Sequence, residues 1–110
     1  MNIKIENTVS ATAYVVTGAL AMITAEVPIR NMEEEAVEYS VYDQIISPEG
    51  TVLTTTESRG RLGAGAEETI LDELLRVRDP QNELQGYKLR VLLRVGDVYV
   101  DTKEVGIRVV

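Results

Sequence analysis

The chain has 110 residues, five of them tyrosine, and no tryptophan, phenylalanine, cysteine or histidine. That length fits one domain, whose core must be built from Val, Leu, Ile and Ala. The absence of cysteine excludes thiol chemistry, and the absence of histidine removes the commonest general base and transition-metal ligand. The formal net charge of −7, with no basic cluster, disfavours nucleic acid and anionic membranes as partners.

Apolar and polar residues alternate with a period of two along most of the sequence, which predicts strands. Residues 3–5 (IKI) and 10–16 (SATAYVV) are predicted as short strands. A longer strand, ALAMITAEVPIRN, follows. One of its faces is formed by Ala19, Ala21, Ile23, Ala25, Val27 and Ile29. Pro28 cannot donate a hydrogen bond to a neighbouring strand, so it predicts a sheet edge or a strand end.

The middle of the chain continues the pattern. In AVEYSVYD the alternation predicts Val37, Tyr39 and Val41 inward. SPEG (47–50) has turn chemistry, and TVLTTTES is a β-branched strand. Three segments are predicted as connections: NMEEEA (31–36), the Gly-rich RLGAGAE (61–67) and DPQNELQG (79–86).

The segment EETILDELLRV (67–77) can be interpreted in two ways. Its apolar pairs have helical spacing and its residues favour helix. As a strand it would place Leu71, Leu75 and Val77 on one face, with Glu73 breaking the row. Local evidence favours a helix by a small margin.

The C-terminal part contains the clearest strand pattern, YKLRVLLRVGDVYVD (87–101). Gly96-Asp97 predicts a two-residue hairpin turn within it. The last strand, DTKEVGIRVV, has Lys103, Val105, Ile107 and Val109 on one face. About seven short strands in this arrangement predict an all-β fold, an antiparallel sandwich of two sheets.

Acidic residues are the first candidates for chemistry, because two carboxylates suffice for glycoside hydrolysis. The pairs and runs are Glu33 to Glu35, Glu67-Glu68 and Asp72-Glu73, and charge runs of this kind usually face solvent. No calcium-loop signature is present, and Gly63 to Gly65 lack the spacing of a phosphate-binding loop. The sequence therefore predicts no catalytic, cofactor-binding or metal-binding residue in this chain.

The tyrosines are the candidates for sugar stacking. Tyr39 and Tyr87 share the inward phase of their strands, which predicts core packing. Tyr14, Tyr42 and Tyr99 have the opposite phase and are predicted to be exposed. Three scattered tyrosines do not make a binding platform.

The ordered set of motifs resembles the immunoglobulin-like β-sandwich domain of glycoside hydrolase family 2, the family of β-galactosidases, β-glucuronidases and β-mannosidases. The resemblance is carried by AEVPIRN (25–31), VYDQIISPEGTVL (41–53), LLRVRDP (74–80), YKLRVLLRVGDVYVD (87–101) and GIR (106–108), which is similar to the closing GFR of the family. The chain departs from the pattern at Gln81-Asn82, where the family has Leu-Trp, and at Gln85-Gly86, where a second proline is missing. We expect the loop between these positions to be reshaped.

The resemblance implies a strand, not a helix, over residues 69–77. It also implies a single immunoglobulin-like domain over residues 1–110, excised from a longer glycosidase. Its partners would be an N-terminal jelly-roll domain and a TIM barrel, and the barrel would hold both catalytic glutamates of a retaining enzyme. We expect a non-catalytic spacer whose docking surface includes Tyr14, Tyr42, Leu92 and Tyr99. The alternative is an independent carbohydrate- or protein-binding module, and a third possibility is a small hydrolase.

Overall fold

The computed structural model describes residues 1–17, 20–78 and 86–110, with the backbone alone for 15–17, 20–21 and 75–78. The strands are β1 (Ile3–Ile5), β2 (Ser10–Thr17), β3 (Leu20–Asn31), β4 (Val37–Ile46), β5 (Val52–Leu62), β6 (Glu67–Arg78), β7 (Lys88–Val95) and β8 (Val98–Val109). None of the described residues is helical, so no helix in this part of the chain could cross a membrane. The all-β prediction is confirmed, and the described ranges contain eight strands where about seven were expected.

The strands form two layers that share β8. In sheet A, β3 lies between β6 on one side and β1 and β2 on the other. Sheet B has the order β8-β7-β4-β5. Every pair within the two layers is antiparallel, but residues 107–109 of β8 pair with 11–13 of β2 in parallel. This departs from the fully antiparallel prediction. The pairing of β8 with β7 ends where Gly106 lies opposite Lys88, the first residue of β7, and the residues of β8 after Gly106 pair with β2 instead. The Val110 amide, for example, donates to the Ala13 carbonyl (2.9 Å).

The core lies between the layers and is built from the inward phase of each strand, as the alternation requires. Sheet A contributes Ile3, Ile5, Ala11, Ala13, Ile23, Ala25, Val27 and Ile29. Sheet B contributes Val37, Tyr39, Val41, Ile45, Leu62, Leu89, Val91 and Leu93. These rows confirm the predicted inward faces; the side chains of Val15, Ala19 and Ala21 lie outside the described residues.

Pro28 lies inside β3, a central strand, and is buried, so the predicted edge or strand end is wrong. The physical reason is that Pro28 lies opposite the gap between β1 and β2, which pair with β3 on either side of it. The Pro28 carbonyl accepts a hydrogen bond from the Glu6 amide (2.8 Å) in that gap, and the N and O of one extended residue point to the same side. The missing N–H therefore faces the connection between β1 and β2 and costs no bond to β6.

Residues 67–77 are extended, so the strand implied by the family resemblance is confirmed and the local preference for helix is wrong. The face assignment is also wrong. Leu71 is 70% exposed, whereas Ile70 and Leu74 pack against the core. A register shift opposite Ile23 and Thr24 changes the phase of the strand near Leu74.

The predicted turns are confirmed at Ser47 to Gly50, where the Gly50 amide donates to the Ser47 carbonyl (2.9 Å), and at Gly96-Asp97 between β7 and β8. The loop predicted at 61–67 is shorter, because Arg61 and Leu62 complete β5 and Glu67 begins β6. Four residues carry the chain from sheet B to sheet A. The expected reshaping of the loop at 81–85 lies outside the described residues.

Gly60 is expected to tolerate no side chain. A Cβ there would lie 2.5 Å from Oη and 2.8 Å from Cζ of the buried Tyr39, its partner in β4. Gly60→Ala should therefore lower the free energy of unfolding by about 2 kcal/mol, because a core ring must move. Urea unfolding followed by circular dichroism measures this.

Gly106→Ala is the matched control, because Gly106 also lies in a strand and its Cβ would meet nothing within 4 Å. If both variants unfold at the same urea concentration, the close approach of Tyr39 does not limit residue 60. Adding Tyr39→Phe to Gly60→Ala should recover part of the loss, since the nearest clashing atom is then absent.

Candidate functional site

One carboxylic acid lies in the core. Asp43 belongs to the inward row of β4, between Val41 and Ile45, and its exposed fraction is 0%. No hydrogen-bond donor among the described residues reaches either of its side-chain oxygens. An ionised carboxylate that is buried without donors is strongly unfavourable, so the protonation state of Asp43 needs an explanation.

A second acid faces it from the other layer. Asp72 lies on the inward phase of β6 and is half-buried. The Ser58 hydroxyl of β5 donates to both Asp72 oxygens at 3.2 Å. β5 and β6 are the edge strands on this side of the sandwich, and this contact closes the gap between them.

The environment of Asp43 favours its neutral form. Burial is the largest cause, and together with a hydrogen bond to Asp72 and the negative charge of Asp72 it raises the pKa of Asp43 to about 8. Two carboxylates only accept hydrogen bonds, so a bond between them requires one proton. Asp43 is therefore the protonated member at neutral pH, and it can donate to Asp72.

This pair differs from a glycosidase pair in its access. A hydrolase needs both carboxyl groups beside the scissile bond, and Asp43 has no exposed surface that a sugar could reach. A cavity of about 310 Å³ lies on the Asp72 side and is lined by Thr24, Ala25, Glu26, Leu71, Asp72 and Glu73. Asp43 does not line it.

The other acidic runs behave differently from Asp72. Glu34 and Glu35 are exposed, and Glu33 accepts a hydrogen bond from the Asn2 amide (2.6 Å). Glu33 and Asp72 are half-buried, so the solvent-facing prediction is wrong for Asp72 and holds only in part for Glu33. It is confirmed for the remaining acids of the three runs, Glu34, Glu35, Glu67, Glu68 and Glu73. No group of three or more Asp or Glu side chains within the described ranges is close enough to hold a metal ion.

The tyrosines follow their predicted phases. Tyr39 is buried and Tyr87 packs partly against the core, whereas Tyr14 and Tyr99 are 49% and 57% exposed. Tyr42 faces outward but is half-buried, because Arg94 lies over its ring at 5.1 Å and Tyr99 contacts it edge-on. Leu92 is also half-buried.

Asp43 was missed in the sequence, although its signal is present. The alternation Val37, Tyr39, Val41 reaches Asp43 two residues later and continues with Ile45. The same rule finds Asn31, which extends the inward row of β3 and is 0% exposed. A polar residue on the apolar phase of a strand is the pattern that identifies both.

Comparison with known proteins gives matches in structure only. No protein-family profile matches the sequence, and no curated protein matches it. A β-glucuronidase from glycoside hydrolase family 2 superposes with a TM-score of 0.80 at 18% identity, over 97% of this chain and 12% of that chain. A Bacteroides uniformis β-glucuronidase gives 0.81 at 19% identity, over 94% and 14%.

A putative β-galactosidase from Bacteroides fragilis also matches, with a TM-score of 0.76 at 20% identity over 94% of this chain. The chain spans only 12–17% of the length of these three proteins. The likeness therefore covers nearly all of this chain and a small part of each of theirs. The chain has the fold of one β-sandwich segment found in glycoside hydrolase family 2 enzymes.

Proposed function

We propose that this chain is a single, non-catalytic scaffold domain of a family 2 glycosidase. The observation that carries the proposal is the asymmetry of coverage: 94–97% of this chain matches 12–17% of glycosidase chains. The two acids that face each other support it as well, because the buried one is closed to substrate. The domain would link a jelly-roll domain to a TIM barrel that performs the retaining hydrolysis.

A docking surface is available near the end of β8. Ala13 pairs with Val109, and its carbonyl accepts a hydrogen bond from the Val110 amide, so the side chains of the next residues, Tyr14 and Val110, lie side by side on the other face of the sheet. Their exposed fractions are 49% and 62%. Exposed apolar groups that cluster in this way are typical of surfaces that a partner covers. We assign this cluster to contact with the barrel.

The test is association between this chain and the remainder of the polypeptide that its gene encodes, expressed separately. Sedimentation velocity should show a complex of one copy of each. Tyr14→Ser should weaken it by about tenfold, because aromatic anchors dominate such contacts. Leu53→Ser is the matched control, since Leu53 is 47% exposed but lies on β5. The docking role would be contradicted if the unsubstituted 110-residue chain formed no complex, or if both variants weakened the complex equally.

The absence of catalysis has its own test. The 110-residue chain should not hydrolyse chromogenic β-galactosides or β-glucuronides, whereas the intact gene product should. Asp43→Asn and Asp72→Asn in that intact product should leave its hydrolysis rate unchanged. The proposal would be overturned if the isolated chain hydrolysed a substrate and either substitution abolished that hydrolysis.

A further inference from the structure

Four side chains form a row across the outer face of sheet B. Ser40 of β4 pairs with Arg59 of β5 on one side and with Arg94 of β7 on the other, and Arg94 pairs with Tyr99 of β8. Directly paired residues of adjacent strands lie on the same face. The register therefore places an arginine on either side of one serine, with a tyrosine at the end of the row.

This row borders a groove of about 530 Å³. The groove is lined by Arg59, Arg61 and Arg94, by Ser40, and by a single acid, Glu38. The chain as a whole has 18 acidic and 11 basic residues. The residues that line the groove thus carry three positive charges against one negative charge, although one of the three, Arg59, is also paired with Glu57 outside the lining.

Arg94 is held in place before any ligand arrives. Its guanidinium carbon lies 5.1 Å from the centre of the Tyr42 ring, and Tyr99 supports that ring edge-on at 6.3 Å. Its Nε is buried and has no hydrogen-bond partner in the described part of the chain. A buried N–H without an acceptor is unfavourable, so an acceptor at this position would stabilise the arrangement.

The arginines also have unused binding capacity. Within the described residues, neither Arg61 nor Arg94 has a carboxylate within 4.0 Å, whereas Arg59 and Arg90 each have one and Arg30 has two. Arg59 uses Nε for Glu57, and its side chain is 75% exposed. The planar guanidinium fork matches the oxygen atoms of carboxylate, sulfate and phosphate groups.

We propose that this groove binds an oxyanion carried by a small molecule, with Arg94 and Arg59 on either side of the anion and Ser40 beneath it. Tyr99 does not line the groove, but it pairs with Arg94 and is exposed, so its ring can cover an apolar face of the molecule that carries the anion. Free inorganic anions and charged sugars share this chemistry. The site lies on sheet B, and its binding does not depend on the docking of Tyr14 or on a catalytic partner.

The experiment is an NMR titration of the ¹⁵N-labelled 110-residue chain with sodium sulfate, sodium phosphate, sodium glucuronate, glucose and sodium chloride, all at one ionic strength. Saturable shifts are expected at the amides of Ser40, Arg59, Gly60 and Arg94 with at least one of the three oxyanions. Saturation by glucuronate at concentrations about tenfold below those of sulfate and phosphate would identify a charged sugar as the ligand. Equal saturation by all three would identify the free anion. Identical shifts with sodium chloride, or no saturation with any oxyanion, would overturn the proposal.

Substitutions locate the site. Arg94→Met retains much of the apolar stem and should weaken binding about tenfold, whereas Arg94→Lys should weaken it less because the charge remains. Arg108→Met is the control, since Arg108 is exposed at the far end of β8. The amide spectrum of each variant reports whether it is folded. Unchanged binding by a folded Arg94→Met variant would overturn the assignment.

Discussion

Replacing Asn31 by alanine is expected to lower the free energy of unfolding by about 3 kcal/mol, because buried hydrogen-bonding groups would lose their partner. The Asn31 amide nitrogen donates to the carbonyls of Glu35, Leu62 and Gly63 at 2.9–3.1 Å, and its oxygen accepts from the Glu33 amide at 2.9 Å. One side chain thus joins the connection between β3 and β4 to the connection between β5 and β6. Urea unfolding followed by circular dichroism measures the loss.

Two further variants separate hydrogen bonding from general effects of substitution. Asn7→Ala should change the free energy of unfolding by less than about 0.5 kcal/mol, since exposed contacts contribute little. Among the described residues, the Asn7 side chain makes one hydrogen bond, an exposed one that it accepts from Lys103. Asn31→Asp retains the shape but removes both N–H donors and turns an oxygen toward carbonyls. It should destabilise at least as much as alanine. If Asn31→Asp unfolds at the same urea concentration as the unsubstituted chain, the network does not hold these loops.

Much of the fold follows from local alternation. The inward rows of β3, β4 and β7 are read directly from the sequence, because a strand that is buried on one face must alternate. Hairpin chemistry at Gly96-Asp97 is equally local. Residues 67–77 are the exception: pairing with β3 overruled helix propensity, and it set Leu71 opposite the exposed Glu26, on the solvent face. The secondary structure of that segment is set by long-range pairing, which cannot be predicted from the local sequence pattern.

The candidate sites show the same division. Alternation alone places Asp43 and Asn31 inside the sandwich. It does not say that Asp72, on a strand of the opposite sheet, lies against Asp43, because the packing of the two layers sets that contact. The arginine row likewise depends on the registers of β4 with β5 and with β7. Composition indicated no basic cluster, since Arg59, Arg61 and Arg94 come together only in the folded chain.

Asp43→Asn is expected to change how stability depends on pH. The pKa of Asp43 in the folded chain is about 8, while an unperturbed aspartate has a pKa of about 3.9. Between these values the folded chain holds a proton that the unfolded chain has released. The free energy of unfolding therefore falls as pH rises through this window, by up to about 1.4 kcal/mol per pH unit, and becomes level above pH 8. Asparagine does not titrate but can still donate to Asp72, so the variant should lack this slope.

The measurement is urea unfolding at several pH values from 4 to 9 for the unsubstituted chain and the variant. The two should be nearly equal in stability at about pH 4, and above pH 8 the variant should be the more stable, because no charge is buried in it. Glu34→Gln, which removes an exposed acid, controls for the change in net charge and should retain the slope. Parallel pH profiles for Asp43→Asn and the unsubstituted chain would mean that Asp43 titrates alike in the folded and unfolded states, so that its burial against Asp72 does not hold the proton.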